Sequence, residues 1–268
     1  MIDVCLTRAE LRSADVAVVI DVLRATSTAT QALATGYETV LFAETLELAA
    51  ELRGPGRVLA GERRCVKPPG FDQGNSPREA ALRCGNELIL ATTNGAPTIV
   101  SAAVRAQTVL LACMLNLGAV VEELARLDQH EHDIAIVCSG TNGAMALEDV
   151  YVAGRLSALL PGPRSDAALA AEAVAGAFPT PLDALSASAN AVVLAAADLT
   201  ADIAYCARES ELDVVPRVLA ASVGVALVGA SARPAVPLNP ATLRRGTRAL
   251  PAISATRRPP LQPSARSR

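Results

Sequence analysis

Val16-Ala17-Val18-Val19-Ile20-Asp21-Val22-Leu23-Arg24-Ala25-Thr26-Ser27-Thr28 is the stretch that decides the fold. A short β-branched run stops at an acid, and helical spacing follows over Thr26–Leu33. A brief apolar run bounded by turn residues reads as a buried strand. Moving outward, the same unit returns. Thr39–Phe42, Val58–Gly61, Leu88–Ala91, Val109–Ala112 and Ile134–Cys138 are strand-like. Between them Leu46–Leu52, Pro77–Arg83, Pro97–Val104 and Leu117–Leu127 carry helix spacing. Ser76-Pro77-Arg78-Glu79 marks one helix start, with a capping Ser, Pro at the first position and Glu at the third. This alternation predicts an α/β protein whose largely parallel sheet is covered by helices on both faces.

The rest of the chain is different in kind. Leu147 to about Ala207 reads as nearly all helix, broken at Pro161, Pro163, Pro179 and Pro181. Val218–Ala232 spans about 15 residues of low charge, short of the roughly 18 that suggest a membrane span, and reads as a buried terminal element. Arg233–Arg268 holds eight Arg, seven Pro and no acid, and is expected to be a disordered basic tail. The expected organisation is a body over 1–232, with 145–165 as the place where it would divide into subdomains, followed by the tail.

Composition excludes several classes. With 51% hydrophobic and 19% charged residues the 268-residue chain has enough apolar side chains for a core. Aromatics are 2% with no Trp, which argues against the stacking platforms of single-stranded nucleic-acid binders. The net charge of −3 conceals an acidic body of −11 over 1–232, a poor nucleic-acid footprint. Six scattered Cys without a C-x-x-C and without a secretory leader predict reduced thiols in a cytoplasmic protein. A homodimer is the default assembly.

Polar clusters follow the apolar runs. They are Asp21–Thr28; Gly61-Glu62-Arg63-Arg64 with the loop Phe71–Ser76; Thr92-Thr93-Asn94-Gly95; and Cys138–Gly143 with Glu148-Asp149. Functional groups in open α/β sheets gather at strand carboxyl ends. Hydroxyls and Gly-linked amides donate to oxyanions, and Arg24 offers a planar fork. Asp21, Glu62, Asp72 and Asp149 are hard oxygen ligands suited to Mg²⁺. The shared chemistry is recognition of a multiply charged oxyanion. Each cluster also has a plainer role: Asp21 as a helix cap, Thr92–Gly95 as a turn, Glu62-Arg63-Arg64 as a solvated charge group, Asp149 as a surface acid.

Spacing removes other phosphatase routes. No Cys is followed by Arg six positions on; those sites hold Leu11, Phe71, Leu90, Ala119, Ala144 and Leu212. Leu23 stands where an aspartyl-phosphate hydrolase wants a second Asp, and neither G-x-x-x-x-G-K-[ST] nor G-x-G-x-x-G occurs. His130 and His132 fit a solvated loop before a strand better than a zinc pair, and Cys138 fits packing better than nucleophilicity with His132.

Taken in order, DVLRATST (Asp21–Thr28), FDQGNSP (Phe71–Pro77), LATTNG (Leu90–Gly95), CSG (Cys138–Gly140), EDVYVAG (Glu148–Gly154) and DIAYCARESELDVVP (Asp202–Pro216) resemble the 2-phosphosulfolactate phosphatase family. The resemblance implies a three-layer α/β/α fold and an Mg²⁺-dependent phosphomonoesterase acting on phosphorylated 2-hydroxy acids. The nominal reaction converts 2-phospho-3-sulfolactate to 3-sulfolactate and phosphate, a step towards coenzyme M. Ala96 departs from the hydroxyl residue expected after Asn94-Gly95, and no counterpart is expected beyond Pro216.

On that footing Asp21, Arg24 and Asp72 are the candidate catalytic residues, and Asp21, Glu62 and Asp149 would hold Mg²⁺ or orient its waters. Thr26, Ser27, Thr92, Thr93, Asn94 and Gly95 would cradle the phosphoryl oxygens, with Ser139 and Gly140 beside them. Asn75 and Asp72 would close the site from the long loop. The expected partner is a small anionic phosphoester, with no nucleic acid and no membrane. Phospholactate-like esters and a non-catalytic anion-binding role are the alternatives, as is Asp21 acting as a nucleophile in place of direct attack by water.

Overall fold

A computed structural model describes residues 1–127 and 132–231. The basic tail 233–268 and His130 lie outside the described residues. Nine strands form one sheet: β1 (Ile2–Cys5), β2 (Ala14–Ile20), β3 (Thr39–Ala43), β4 (Arg57–Gly61), β5 (Glu87–Ala91), β6 (Ala106–Ala112), β7 (Ile134–Cys138), β8 (Pro216–Ser222) and β9 (Val225–Ala230). The helices are α1 (Ala25–Thr35), α2 (Leu46–Glu51), α3 (Pro77–Ala80), α4 (Gly95–Arg105), α5 (Leu117–Arg126), α6 (Leu147–Leu159), α7 (Asp166–Gly176), α8 (Pro181–Ser186), α9 (Ala189–Ala196) and α10 (Thr200–Cys206). The alternation up to β7 and the helical run after Leu147 match the sequence reading. α6 passes through the 145–165 region and packs on β7 and β2, inside the single unit Met1–Ser231. Among the described residues no helix is long and apolar enough to cross a membrane.

The sheet order is β1-β7-β2-β6-β8-β9-β3-β5-β4. Two parallel blocks, β1-β7-β2-β6 and β3-β5-β4, flank a hairpin, β8-β9, that runs antiparallel to each neighbour. The fold is therefore α/β with a mixed, mostly parallel sheet. Residues 218–230 of the low-charge run lie in this hairpin, so the expected terminal element is two strands. Gly224 turns it at φ +73.

Alternation along each strand builds the layers. On β2, Ala17 and Val19 enter one apolar cluster with Ala25, Ala29 and Ala32 of α1 and Ala96, Ile99 and Val100 of α4. Val16, Val18 and Ile20 face the other way, onto Leu117 and Val120 of α5 and Val150–Ala153 of α6. On β3, Val40 and Phe42 join the α1/α4 cluster while Leu41 and Ala43 pack with Ala49 of α2. Small Ala side chains let the helices sit close to the sheet, and Val, Leu and Ile fill the space between them in a chain with 2% aromatics.

Three antiparallel pairings separate β6 from β3, so in a flat sheet the blocks would point their carboxyl ends in opposite directions. Five strand-to-strand steps lie between β2 and β5. At about 20–25° each, they accumulate about 100–125° of twist, enough to bring the ends back towards one another. α1 and α4, which follow β2 and β5, each contact strands of both blocks. Their amino ends meet: a Cβ on Gly95 would lie 2.5 Å from Ala25 Cβ and 2.7 Å from Asp21 Oδ2. Gly at position 95 is what permits that approach.

Candidate active site

The meeting point of α1 and α4 opens into a crevice of about 600 Å³. Asp21, Arg24, Glu62, Asn75, Thr92, Thr93 and Asn94 line it, together with Leu23, Arg63, Arg64, Cys65, Thr141, Asn142, Asn190 and Val193. Residues after β2, β4, β5 and β7 thus share one space.

The turn after β2 fixes Asp21. Its Oδ1 accepts the Ala25 N–H at 3.0 Å, so the capping role and the crevice position coexist. Thr26 Oγ1 accepts the Asp21 N–H at 3.2 Å and donates to the Asp21 carbonyl at 2.9 Å, and Ser27 Oγ donates to the Val22 carbonyl at 2.8 Å. These two hydroxyls are fully buried and brace the turn; the structure does not bring them to the crevice. Short hydroxyl side chains at a helix start bond most readily to their own backbone.

Arg24 is also committed. Its Nη1 donates to Asp202 Oδ2 at 2.5 Å, with both side chains at most 2% exposed, and Nη2 reaches the Cys65 carbonyl at 3.3 Å. Ser76 Oγ donates to the other Asp202 oxygen at 2.9 Å while accepting the Glu79 N–H as the cap of α3. Asp202 therefore joins α1, α3 and α10. It lies within the DIAYCARESELDVVP string, yet nothing local marks it, because its partners are 178 and 126 residues away.

Glu62 receives three donors: the Thr93 N–H and Oγ1 on Oε1, each at 2.8 Å, and the Cys65 N–H on Oε2 at 3.0 Å. Thr92 Oγ1 accepts the Ala96 N–H at 2.8 Å, leaving its own proton free to donate. Asn75 is 4% exposed, and its Oδ1 has no partner among the described residues.

The acids on the opposite wall serve the backbone. Asp149 accepts the Val22 N–H at 3.0 Å on one oxygen and the Gly140 N–H at 3.1 Å on the other. It anchors the turns after β2 and β7 and does not line the crevice. Gly140 sits at φ +64 with no room for a Cβ, 2.3 Å from the Ala144 carbonyl. Ser139 continues the ladder through its N–H to Ile20; its buried Oγ is unpartnered among the described residues and lies outside the crevice. Asp72 is also displaced: it accepts the Leu59 N–H at 2.8 Å, lies 3.7 Å from Arg53 and does not reach the crevice. Asn190 of α9 joins the site from the structure alone; its Nδ2 donates to Thr141 Oγ1 at 2.7 Å and to Glu148 Oε1.

Burial dominates the electrostatics. It pushes the Asp21 carboxyl up to about 7; the Ala25 N–H opposes the shift, nearby Glu62 and Glu148 add to it, and Arg24 counters it. Burial raises Glu148, and raises Asp149 well above the usual carboxylate range with help from Glu148 and Asp21. The Cys138 thiol is likewise raised, chiefly by burial, which leaves it inert. His132 precedes β7 and lies 3.9 Å from Asp15, about 20 Å of extended chain from Cys138, so the two form no pair.

Among the described residues no three His, Cys, Asp or Glu side chains are grouped to hold a metal ion. The expected set Asp21–Glu62–Asp149 thus loses Asp149. Asp21 and Glu62 remain, both on the crevice and close enough for Glu62 to raise the Asp21 pKa. Two carboxylates fit Mg²⁺, which is commonly held by one or two acids together with substrate phosphate and waters.

The chain has known relatives. A family model described as 2-phosphosulpholactate phosphatase matches residues 4–220. A protein of Thermus thermophilus named "Probable 2-phosphosulfolactate phosphatase" is 41% identical over 220 residues, covering 80% of this chain and 92% of that protein. Proteins of the same name from Deinococcus radiodurans and Carboxydothermus hydrogenoformans are 39% identical (75% and 87% covered) and 36% identical (80% and 92% covered). The match runs past Pro216 into β8, beyond the point where counterparts were expected to end.

Proposed function

The chain belongs to the 2-phosphosulpholactate phosphatase family, a family of phosphoric monoester hydrolases, and from that premise we propose that its crevice hydrolyses 2-phospho-3-sulfolactate to 3-sulfolactate and phosphate with Mg²⁺ as cofactor. The observation that carries this reading is one crevice holding Asp21, Glu62, Thr92, Thr93, Asn94 and Asn75 at the amino end of α4. Bound Mg²⁺, held by Asp21 and Glu62, would offset the repulsion between these acids and a dianionic phosphoryl group.

The chain's own groups do the positioning. The amino end of α4 turns the positive end of its dipole towards the phosphoryl oxygens; its Ala96 N–H is taken by Thr92 Oγ1 and Pro97 has none, so side chains supply most of the directed bonds. The Thr92 hydroxyl and the Asn75 and Asn94 amides add directed hydrogen bonds. Without the metal, burial raises the Asp21 carboxyl to about 7, so near neutral pH Mg²⁺ binding would draw it to the ionised form. Arg24 and Asp202 hold the Asp21–Arg24 turn against the turn after β4, so Arg24 positions the site more than it grips the ester.

Phosphate release from 2-phospho-3-sulfolactate, measured with and without chelator, tests the proposal. Release should stop with chelator and return with Mg²⁺. Asp21→Asn should lower turnover by about 10²–10³-fold, by analogy with removal of one oxyanion-hole donor. Full turnover in chelator, or in Asp21→Asn, would refute it. The step would belong to a coenzyme-M-type route within a cytoplasm that keeps the six unpaired cysteines reduced. Esters of other 2-hydroxy acids are the second reading, favoured by the fact that Arg side chains accept carboxylate and sulfonate alike.

A further inference from the structure

We infer that Arg63 and Arg64 bind the second anionic group of the substrate, the carboxylate or sulfonate on the carbon skeleton, while the α4 end of the crevice holds the phosphoryl group. The inference rests on the phosphatase reading for the identity of the ester, and on the structure for the existence of the anion site.

Three guanidinium groups line the crevice, and they are not equivalent. Arg24 is matched: Asp202 neutralises it at 2.5 Å in a buried pair. Arg63 donates to the Glu62 carbonyl at 2.9 Å; it is near enough to exposed Glu47 to help lower its pKa, yet forms no ion pair within 4 Å of an acid among the described residues. Arg64 is exposed and makes no side-chain hydrogen bond or ion pair among them. The positive charge of the crevice that no direct ion pair among the described residues neutralises therefore belongs to positions 63 and 64. An ester bearing a phosphate and one or two further anions has its remaining charge where these two can meet it. Guanidinium forks suit both planar carboxylate and sulfonate oxygens.

The backbone holds these side chains in place. Arg63 and Val66 exchange hydrogen bonds at 3.0 and 3.1 Å around a two-residue turn with Arg64 at φ 52 and Cys65 at φ 64. Glu62 accepts the Cys65 N–H, and Arg24 donates to the Cys65 carbonyl, so the turn is tied to the crevice floor on both sides. Left-handed geometry at two residues with side chains costs about 1–2 kcal/mol each. A turn that served only to reverse the chain would be better made with glycine. Such strain at a crevice rim is consistent with a demand for these side chains in this orientation.

The test compares two esters: 2-phospho-3-sulfolactate and ethyl phosphate, which lacks a second anion. In Arg63→Gln/Arg64→Gln, kcat/KM for the first relative to the second should fall about ten-fold or more, the worth of a hydrogen bond to a charged group, and the change should lie in KM. Arg64→Gln alone, at an exposed position, should show part of the effect if the double variant folds poorly, and Arg64→Lys should recover some of it. An unchanged ratio, or equal losses on both esters, overturns the inference. If the wild type releases phosphate from neither ester, the phosphatase reading fails, and calorimetric titration with 3-sulfolactate decides the anion site. Binding weakened about ten-fold in the double variant supports it; equal affinity, or no binding by the wild type, overturns it.

Discussion

Two turns of the same shape line the crevice. Residues 141–144 exchange hydrogen bonds at 2.8 and 3.0 Å, with Asn142 at φ 53 and Gly143 at φ 81. Residues 63–66 do the same around Arg64 and Cys65. Asn-Gly is the pair that accepts this left-handed turn at least cost, whereas Arg-Cys tolerates it poorly. The wall after β7 is thus built for stability, with Asp149 holding the Gly140 N–H and Asn190, itself bonded to Glu148, holding the Thr141 hydroxyl. The wall after β4 keeps strained, charged side chains at the rim. One wall fixes the geometry and the other meets the ligand.

Arg24 and Asp202 tie the wall after β4 to the turn after β2 and to α3, so breaking this pair should have the largest effect. Asp202→Ala leaves a buried guanidinium unpaired, a loss of about 3–5 kcal/mol. Urea denaturation should report that loss. Activity in any folded fraction should also fall, because the Cys65 carbonyl and the Arg63–Arg64 turn lose their tether. Asp202→Asn, which keeps an acceptor for Ser76 or Arg24, should lie between wild type and Asp202→Ala. A stability equal to wild type in Asp202→Ala would show that the wall after β4 stands without this tether.

The next effect separates the walls by pH. Asp21, Glu148 and Asp149 all titrate above their unfolded values, Asp21 at about 7. The metal-free folded state therefore binds more protons than the unfolded chain between about pH 4 and 7. This contribution is fully present below the unfolded pKa and is lost as pH rises through the folded one. Thermal melting without Mg²⁺ should show Tm falling from pH 5 to 7.5, by about 2–4 °C for each kcal/mol lost. Asp21→Asn should flatten the profile. Because Mg²⁺ binds the ionised form, adding it should raise Tm more at pH 7.5 than at pH 5. A Tm that stays level in chelator would mean that the acids on this wall are already compensated.

Much of this was legible in the sequence, and the gaps have physical causes. Val16–Ile20 and its repeats marked the strands because β-branched runs, turn residues and helix spacing are local signals. β1 is four residues long, and β8 is exposed through its second half, so neither carries a strong apolar pattern. The reversal of the second block was illegible, since it depends on a hairpin inserted from residues 216–230. In the site, the clusters after β2, β4, β5 and β7 did converge. Which members face the crevice was not readable: Thr26, Ser27 and Asp149 have the chemistry to bind oxyanions or metal, yet they satisfy backbone groups instead. Asn190 left no signal because its partners Thr141 and Glu148 are 49 and 42 residues distant.

The smallest expected effect tests the contrast between the turns most directly. Among the described residues, and its chain neighbours apart, no atom lies within 4 Å of the place a Cβ on Gly143 would occupy, so Gly143→Ala changes conformational energy and little else. It should destabilise by about 1–2 kcal/mol, the cost of a side chain in left-handed backbone. Arg64→Gly should do the reverse. It relieves the same strain, offset by the greater freedom glycine gives the unfolded chain, for a net gain of up to about 1 kcal/mol. That gain should come with a weakened preference for the two-anion ester, because the guanidinium is gone. Midpoints of urea denaturation, read beside the ester ratio, give both quantities from the same pair of variants. Shifts of the same sign in stability would mean that the two turns carry equal strain, and the rim after β4 would lose its claim to be the wall shaped for the ligand.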